Sequence, residues 1–232
     1  RDCLLSRGLG DVYKRQDGYC ARLDTRMESV KVLGLVNITV LAAGSVFTGS
    51  VHEPIKGTKN PQKMLQTGIP FTKKPVALQF DYKVKMSDRE NRIRATGFSK
   101  ITDVPGKDYP AAILLLQKRW EDANGNVYAK RIGTMVTYYY HSTDWKNNAT
   151  YEIMYGDITN RPEYKSHMMR LQATESYTVN SKGESVPIHE VAWGNENDVP
   201  THMCLQFTSS HGGAYIGSPG NTLWIDNVKL VY

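Results

Sequence analysis

The sequence predicts an all-β protein, an antiparallel β-sandwich of two stacked sheets, on three observations. Residues 75–86, "PVALQFDYKVKM", place Val76, Leu78, Phe80, Tyr82, Val84 and Met86 on one face and Gln79, Asp81, Lys83 and Lys85 on the other. Six apolar positions at strict period two leave no room for a helix. Turn signals rich in Gly and Pro recur at 49–61, 66–70, 104–110 and 217–220, between short alternating segments. The closing stretch "GSPGNTLWIDNVKLVY" changes phase at Asp226-Asn227: Leu223 and Ile225 keep odd numbers, Val228, Leu230 and Tyr232 even ones. A continuous strand can do this only through a β-bulge, the device that bends strands around curved sheets.

Taken in order, the first sixteen residues, "RDCLLSRGLGDVYKRQ", show no sustained strand or helix period. They resemble translated adapter sequence found at the ends of metagenomic gene fragments, so residues 1–16 are expected to be a non-native or disordered tail. Residues 17–232 then form a single domain, with the protein's own N-terminus and any export signal missing. Strands are expected at 19–25, 31–40, 75–86, 111–122, 150–155, 202–209 and 222–232. "AAILLLQKRWED" (111–122) starts apolar on both faces and turns amphipathic, as when a strand emerges from under covering structure. The turn "DANGN" and then "VYAKRIGTMVTYYY" complete a long β-hairpin. Only 163–172, "EYKSHMMRLQ", has helical spacing, and one short helix is expected there.

Composition narrows the function. The formal net charge is +6, and without the first sixteen residues 25 basic side chains face 21 acidic ones. The densest basic clusters, Lys73-Lys74, Lys118-Arg119 and Lys130-Arg131, are only two residues long, so no stripe suits a nucleic acid. No apolar run approaches the ~18 residues a membrane-spanning helix needs. Cys20 and Cys204 lack CxxC spacing and an adjacent His, and read as free thiols, with one long-range disulfide as the alternative. No HExxH, GxSxG or phosphate-loop pattern occurs. No cofactor is expected, although Asp226 leaves open a structural cation beside the bulge; the alternative is a hydrogen-bonded bend.

"FTSSHGGAYIGSPGNTLWIDNVKLVY", together with "GSVFTGSV" and "GIPFTKKPVALQFDYKV" upstream, resembles the putative carbohydrate-metabolism domain family of outer-membrane anaerobic bacteria. The likeness runs from about Cys20 to Tyr232. It implies a β-jelly roll, export to the cell surface or periplasm, often as a lipoprotein, and recognition or processing of glycans. It carries no catalytic motif.

Sugar recognition needs an aromatic face for the apolar side of a pyranose and flanking polar groups for its hydroxyls. Two stretches, both read as loops, offer them. "YYYHSTDWKNN" (138–148) supplies Tyr140, His141, Asp144, Trp145 and Asn147; "HEVAWGNENDVP" (189–200) supplies Trp193, Asn195, Glu196, Asn197 and Asp198. Together they are expected to line a glycan cleft. The competing expectation is that both tryptophans plug the core and the polar residues form turns. Trp120 and Trp224, within strands, are read as packing residues. The chain thus reads as a carbohydrate-binding module, expected to be monomeric. The alternatives are a glycoside hydrolase with a carboxylate pair drawn from Asp144, Glu190, Glu196 and Asp198, or a structural or adhesive surface module.

Overall fold

The computed structural model describes residues 11–15, 18–32, 36–51, 60–97, 99–165, 167–168, 171, 176–195 and 197–232. The chain opens with β1 (Asp11–Arg15), β2 (Gly18–Val32), β3 (Val36–Ala43), β4 (Ser45–Phe47) and β5 (Gly49–Val51). After a 3-10 turn at Pro61–Met64 come β6 (Leu65–Thr67), β7 (Ile69–Pro70), β8 (Ala77–Lys85), β9 (Arg92–Arg94) and β10 (Thr102–Val104). The long hairpin is β11 (Ala111–Glu121) and β12 (Val127–Tyr138), followed by β13 (Thr143–Glu152) and β14 (Met154–Tyr155). The chain closes with β15 (Tyr177–Val179), β16 (Ser185–Trp193), β17 (His202–Thr208), β18 (Ile216–Gly217) and β19 (Thr222–Val231). Among the described residues there is no α-helix.

Two large sheets stack face to face. One carries the order β2-β19-β8-β13 and the other β4-β17-β11-β12. The chain runs from the first sheet (β2, β8) to the second (β11, β12), back for β13, over again for β16 and β17, and returns for β19, in a jelly-roll sandwich. Leu23, Leu78, Phe80, Val84, Leu223 and Ile225 from the first sheet meet Ala112, Leu114, Leu116, Ile132, Met135, Met203 and Phe207 from the second in one buried core. Phe80 packs edge-on against Phe207 across the gap, with ring centroids 4.9 Å apart.

The phase change in the last strand is a bulge. Asp226 pairs with Asp81 and Lys229 with Gln79, so two residues, Asn227 and Val228, oppose one. Asn227 takes the left-handed conformation, φ 50°, which Asn tolerates better than most residues. On the other side of β8, strand β13 is also bulged, and Asn148 has φ 51°. The Asp81 side chain joins the two irregularities. Its Oδ1 accepts the Asn148 N–H at 2.6 Å and its Oδ2 accepts Asn227 Nδ2 at 2.8 Å. A buried carboxylate on the outer face of a core strand is thus satisfied by the backbone it bends. Beyond the bulge Leu230 returns to the core, whereas Val228 and Tyr232 stay exposed.

Several expectations change. Of the segment read as a tail, 1–10 and 16 lie outside the described residues, whereas Asp11–Arg15 pairs antiparallel with Gly18–Arg22. The expected strand 31–40 is divided between β2 and β3, which pair from Thr25↔Ala43 to Val32↔Val36. Residues 163–165, 167, 168 and 171 carry turns and bends rather than an α-helix. β13 begins at Thr143 rather than 150. β16 runs through the stretch read as a loop and pairs parallel with β12, so the sandwich is not wholly antiparallel.

Candidate functional site

The register of the second sheet gathers aromatic side chains at one end. Ala111 pairs with Tyr138 on one side and Thr208 on the other. The chain segments around Tyr109, Tyr138–Tyr140 and His211 therefore meet. Strand parity divides the three consecutive tyrosines. Tyr139 turns into the core and packs against Tyr82 at 4.6 Å, while Tyr138 and Tyr140 face outward. Tyr140 meets Tyr109 edge-on at 4.7 Å, and Tyr138 lies 4.9 Å from both His211 and His167. The Tyr140 hydroxyl hydrogen-bonds His167 Nδ1 at 3.1 Å. Five rings from four chain segments so form one partly exposed surface.

Asp108 holds this surface together from below. Its side chain is fully buried and accepts Ser210 Oγ at 2.9 Å, the Ser218 N–H at 2.8 Å and Asn221 Nδ2 at 3.2 Å. These bonds tie the "SSHGG" turn to the segment before β11 that bears Tyr109. His211 Nδ1 lies 3.0 Å from the Tyr109 backbone nitrogen and 3.2 Å from Asp108 Oδ1. Burial, then the neighbouring Tyr140 and Asp108, raises the Tyr138 pKa. Burial lowers that of His167, against a raising hydrogen bond from Val136. Both rings are uncharged at neutral pH and offer donors and acceptors beside their faces.

A second polar group occupies the middle of the same outer face. Glu190 on β16 receives Arg131 Nε at 2.5 Å and Arg131 Nη2 on its other oxygen, and Gln117 Nε2 at 2.7 Å. Arg119 continues the chain, donating to Gln117 Oε1, to the Thr67 carbonyl and to Cys204 Sγ at 2.8, 2.9 and 3.0 Å. Trp193 packs on the Arg131 guanidinium, 5.6 Å from ring centroid to Cζ. Cys20 and Cys204 are free thiols, and burial raises the Cys204 pKa.

The predicted site residues fall into three places. Tyr140 belongs to the ring cluster, with His141 exposed just beyond it. Asp144, Trp145 and Asn147 lie on β13, an edge strand of the opposite sheet, rather than in a loop; Asp144 is nearly fully exposed, 3.4 Å from Lys83. Trp193 ends β16 beside Arg131, and Asn195 and Asn197 form the next turn: Asp198 Oδ2 accepts the Asn195 N–H and Asn195 Oδ1 the Asn197 N–H. Glu196 lies outside the described residues. Six residues of β11 separate Ala111 at the ring cluster from Gln117 at Arg131, roughly 20 Å along a strand. The two stretches do not converge on one cleft.

Among the described candidate acids, Asp144 is exposed and Glu190 and Asp198 are engaged. Both Glu190 oxygens are bonded to Arg131, and Asp198, bonded to the Asn195 N–H and to Lys118, has a lowered pKa, the wrong direction for a general acid. Among the described residues no group of three or more His, Cys, Asp or Glu is placed to hold a metal. Asp226 Oδ1 accepts the Asn227 N–H, as in a hydrogen-bonded bend. Tyr109, Tyr138, His167, His211 and Asp108 went unread in the sequence. The triple tyrosine was the available signal, but its partners follow only from the strand register.

Fold and site together define a jelly-roll β-sandwich bearing a surface of tyrosine and histidine rings. The chain belongs to the putative carbohydrate metabolism domain family, whose profile matches residues 9–231. Among solved structures it is similar to one described as a putative glycoside hydrolase from Bacteroides thetaiotaomicron VPI-5482, with 20% identity and a TM-score of 0.56. That similarity covers 94% of this chain and 55% of the other, so the present chain corresponds to just over half of its neighbour. No curated protein matches the chain.

Proposed function

We propose that the domain binds glycan at the ring cluster, with a pyranose stacked on Tyr140 and Tyr109 and its hydroxyls bonded by Tyr138, His167 and His211. The observation that carries this reading is the convergence of five partly exposed, polar-tipped rings over one buried aspartate, in a chain whose family is one of carbohydrate metabolism. Rings needed only for packing have no use for outward hydroxyls and imidazoles. Binding rather than hydrolysis is favoured because Asp108, the carboxylate beneath the rings, is buried and engaged. In this reading the domain acts outside the cytoplasm, at the cell surface or in the periplasm, where polysaccharide is met.

Tyr140→Ala tests it. One stacking aromatic contributes about 0.5–1.5 kcal/mol, so retention on the best-bound glycan of an array should weaken by up to about tenfold with the thermal transition unchanged. Equal retention by the folded Tyr140→Ala and Tyr109→Ala variants removes the cluster as the site. Release of reducing sugar by the intact domain would replace binding with catalysis.

A further inference from the structure

The β11–β12 hairpin runs beyond the core. Ala112, Leu114 and Leu116 are buried against the opposite sheet, and their parity continues to Lys118 and then Trp120, which is 42% exposed. At this end the inner face of the sheet has lost its cover. The register lays two rows across three strands: Lys118 opposite Lys130, and Trp120 opposite Tyr128, itself opposite His189. The three rings form a ladder with centroids 5.8 and 5.7 Å apart. Trp120 is therefore not the packing residue its strand position suggested.

The platform is braced from behind and at its tip. Val127, Ala129 and Ile188 pack as a small core on the reverse face, and the Arg131–Glu190 pair lies next to them. Asp122 accepts the N–H groups of Asn124 and Asn126 at 2.9 and 2.8 Å, and Lys182 Nζ caps the Asn124 carbonyl at 2.7 Å. A surface ordered before binding loses little conformational freedom to a ligand. Two exposed ammonium groups flank it: Lys118, paired with Asp198 at 3.0 Å, and Lys130, which also acts on Asp198, so two lysines against one carboxylate leave one net positive charge. The Glu121 carboxylate, of opposite parity, is bonded to Ser181.

We propose that the Trp120–Tyr128–His189 ladder and the Lys118–Lys130 row form a second glycan site, selective for acidic polysaccharide, with a pyranose against the indole and its carboxylate or sulfate on the ammonium groups. The proposal rests on the carbohydrate reading of the domain but not on the ring cluster, which lies at the other end of the hairpin. Aromatic area recruits any pyranose; the lysine row discriminates for anionic ones.

The test is binding of the intact chain and its variants to a polyuronate, a sulfated polysaccharide and an uncharged glucan. The intact chain should retain an acidic polymer, and added salt should weaken that retention. Trp120→Ala should weaken it about tenfold and Lys118→Gln/Lys130→Gln severalfold, while Lys85→Gln/Lys100→Gln, the same charge change at exposed positions outside both sites, leaves it unchanged. Polyuronate alone retained assigns carboxylate, and the sulfated polymer alone assigns sulfate; both support the site. Undiminished acidic-polymer binding by folded Trp120→Ala and Lys118→Gln/Lys130→Gln overturns it, as does failure of the intact chain to bind either polymer. Loss of binding in Tyr140→Ala but not Trp120→Ala would keep the ring cluster and discard the ladder.

Discussion

Glu190→Gln separates a structural from a chemical role for the buried acid of β16. The Arg131 and Glu190 side chains are 1% and 8% exposed. Each Glu190 oxygen takes a guanidinium N–H, and one also takes the Gln117 amide. A glutamine presents one oxygen and one NH2, so one guanidinium donor faces another donor and the buried cation has lost its counter-charge. A lost charge-assisted bond costs about 1.5–3 kcal/mol, and stranding the partner brings the total to about 3–5 kcal/mol. For a domain of this size that lowers the melting temperature by about 6–20 °C. Replacing both partners by apolar residues, Arg131→Met with Glu190→Leu, should recover most of the loss, because no buried charge then remains. Urea unfolding followed by tryptophan fluorescence reads both variants, with Trp193 on the guanidinium as a local reporter. A Glu190→Gln domain within about 1 kcal/mol of the parent would refute the reasoning.

Two further outcomes follow from the same structure. Burial, then the charge of Arg119, pushes the His202 pKa down to about 4 from an ordinary 6.5. As pH falls the unfolded chain takes up its proton first. His202 therefore stabilises the fold fully above 6.5 and progressively less towards 4, by about 3 kcal/mol in a dry site and about 1–2 kcal/mol for this screened ring. His202→Gln should flatten the stability profile over that interval, and parallel profiles would discount the effect. At the bulge, Asn227→Ala loses the bond to Asp81 and puts at φ 50° a residue without Asn's tolerance of that conformation, costing about 2–3 kcal/mol. Asn227→Gly loses only the bond, so in chemical denaturation it should be the more stable of the two; the reverse order would show that the bulge is not set by backbone conformation.

What could be read in advance depended on whether a residue's neighbours were local. Strict alternation over 75–86, the emergence of 111–122 from cover and the phase shift at Asp226 are visible because β geometry imposes them on adjacent residues. β16 was missed because "SVPIHEVAW" carries a histidine and a glutamate that look solvent-facing. Glu190 is buried only by virtue of Arg131, 59 residues away. β13 reads as a loop over 143–149 because its half-buried positions, Thr143, Trp145 and Ala149, are not uniformly apolar, and two register shifts break the alternation. The ring cluster is hard to read in the sequence for the same reason. Its tyrosines were legible one by one, but their meeting with His211 is set by pairing β11 with β12 and β17.

One extra residue relates the two aromatic surfaces. Leu116 pairs with Gly133 and Gln117 with Arg131, which leaves Ile132 as a bulge in β12. Above it, even-numbered residues such as Tyr138 face outward; below it, odd-numbered Arg131 and Ala129 do, and Tyr128 and Lys130 turn to the opposite face. Without the bulge Tyr138 and Tyr128 would share one face, and a single polymer could lie along both. With it, the ring cluster and the ladder look out from opposite sides of the sheet, about 30 Å apart along the strand. Under the two proposals, each surface would take its own polysaccharide chain rather than share one.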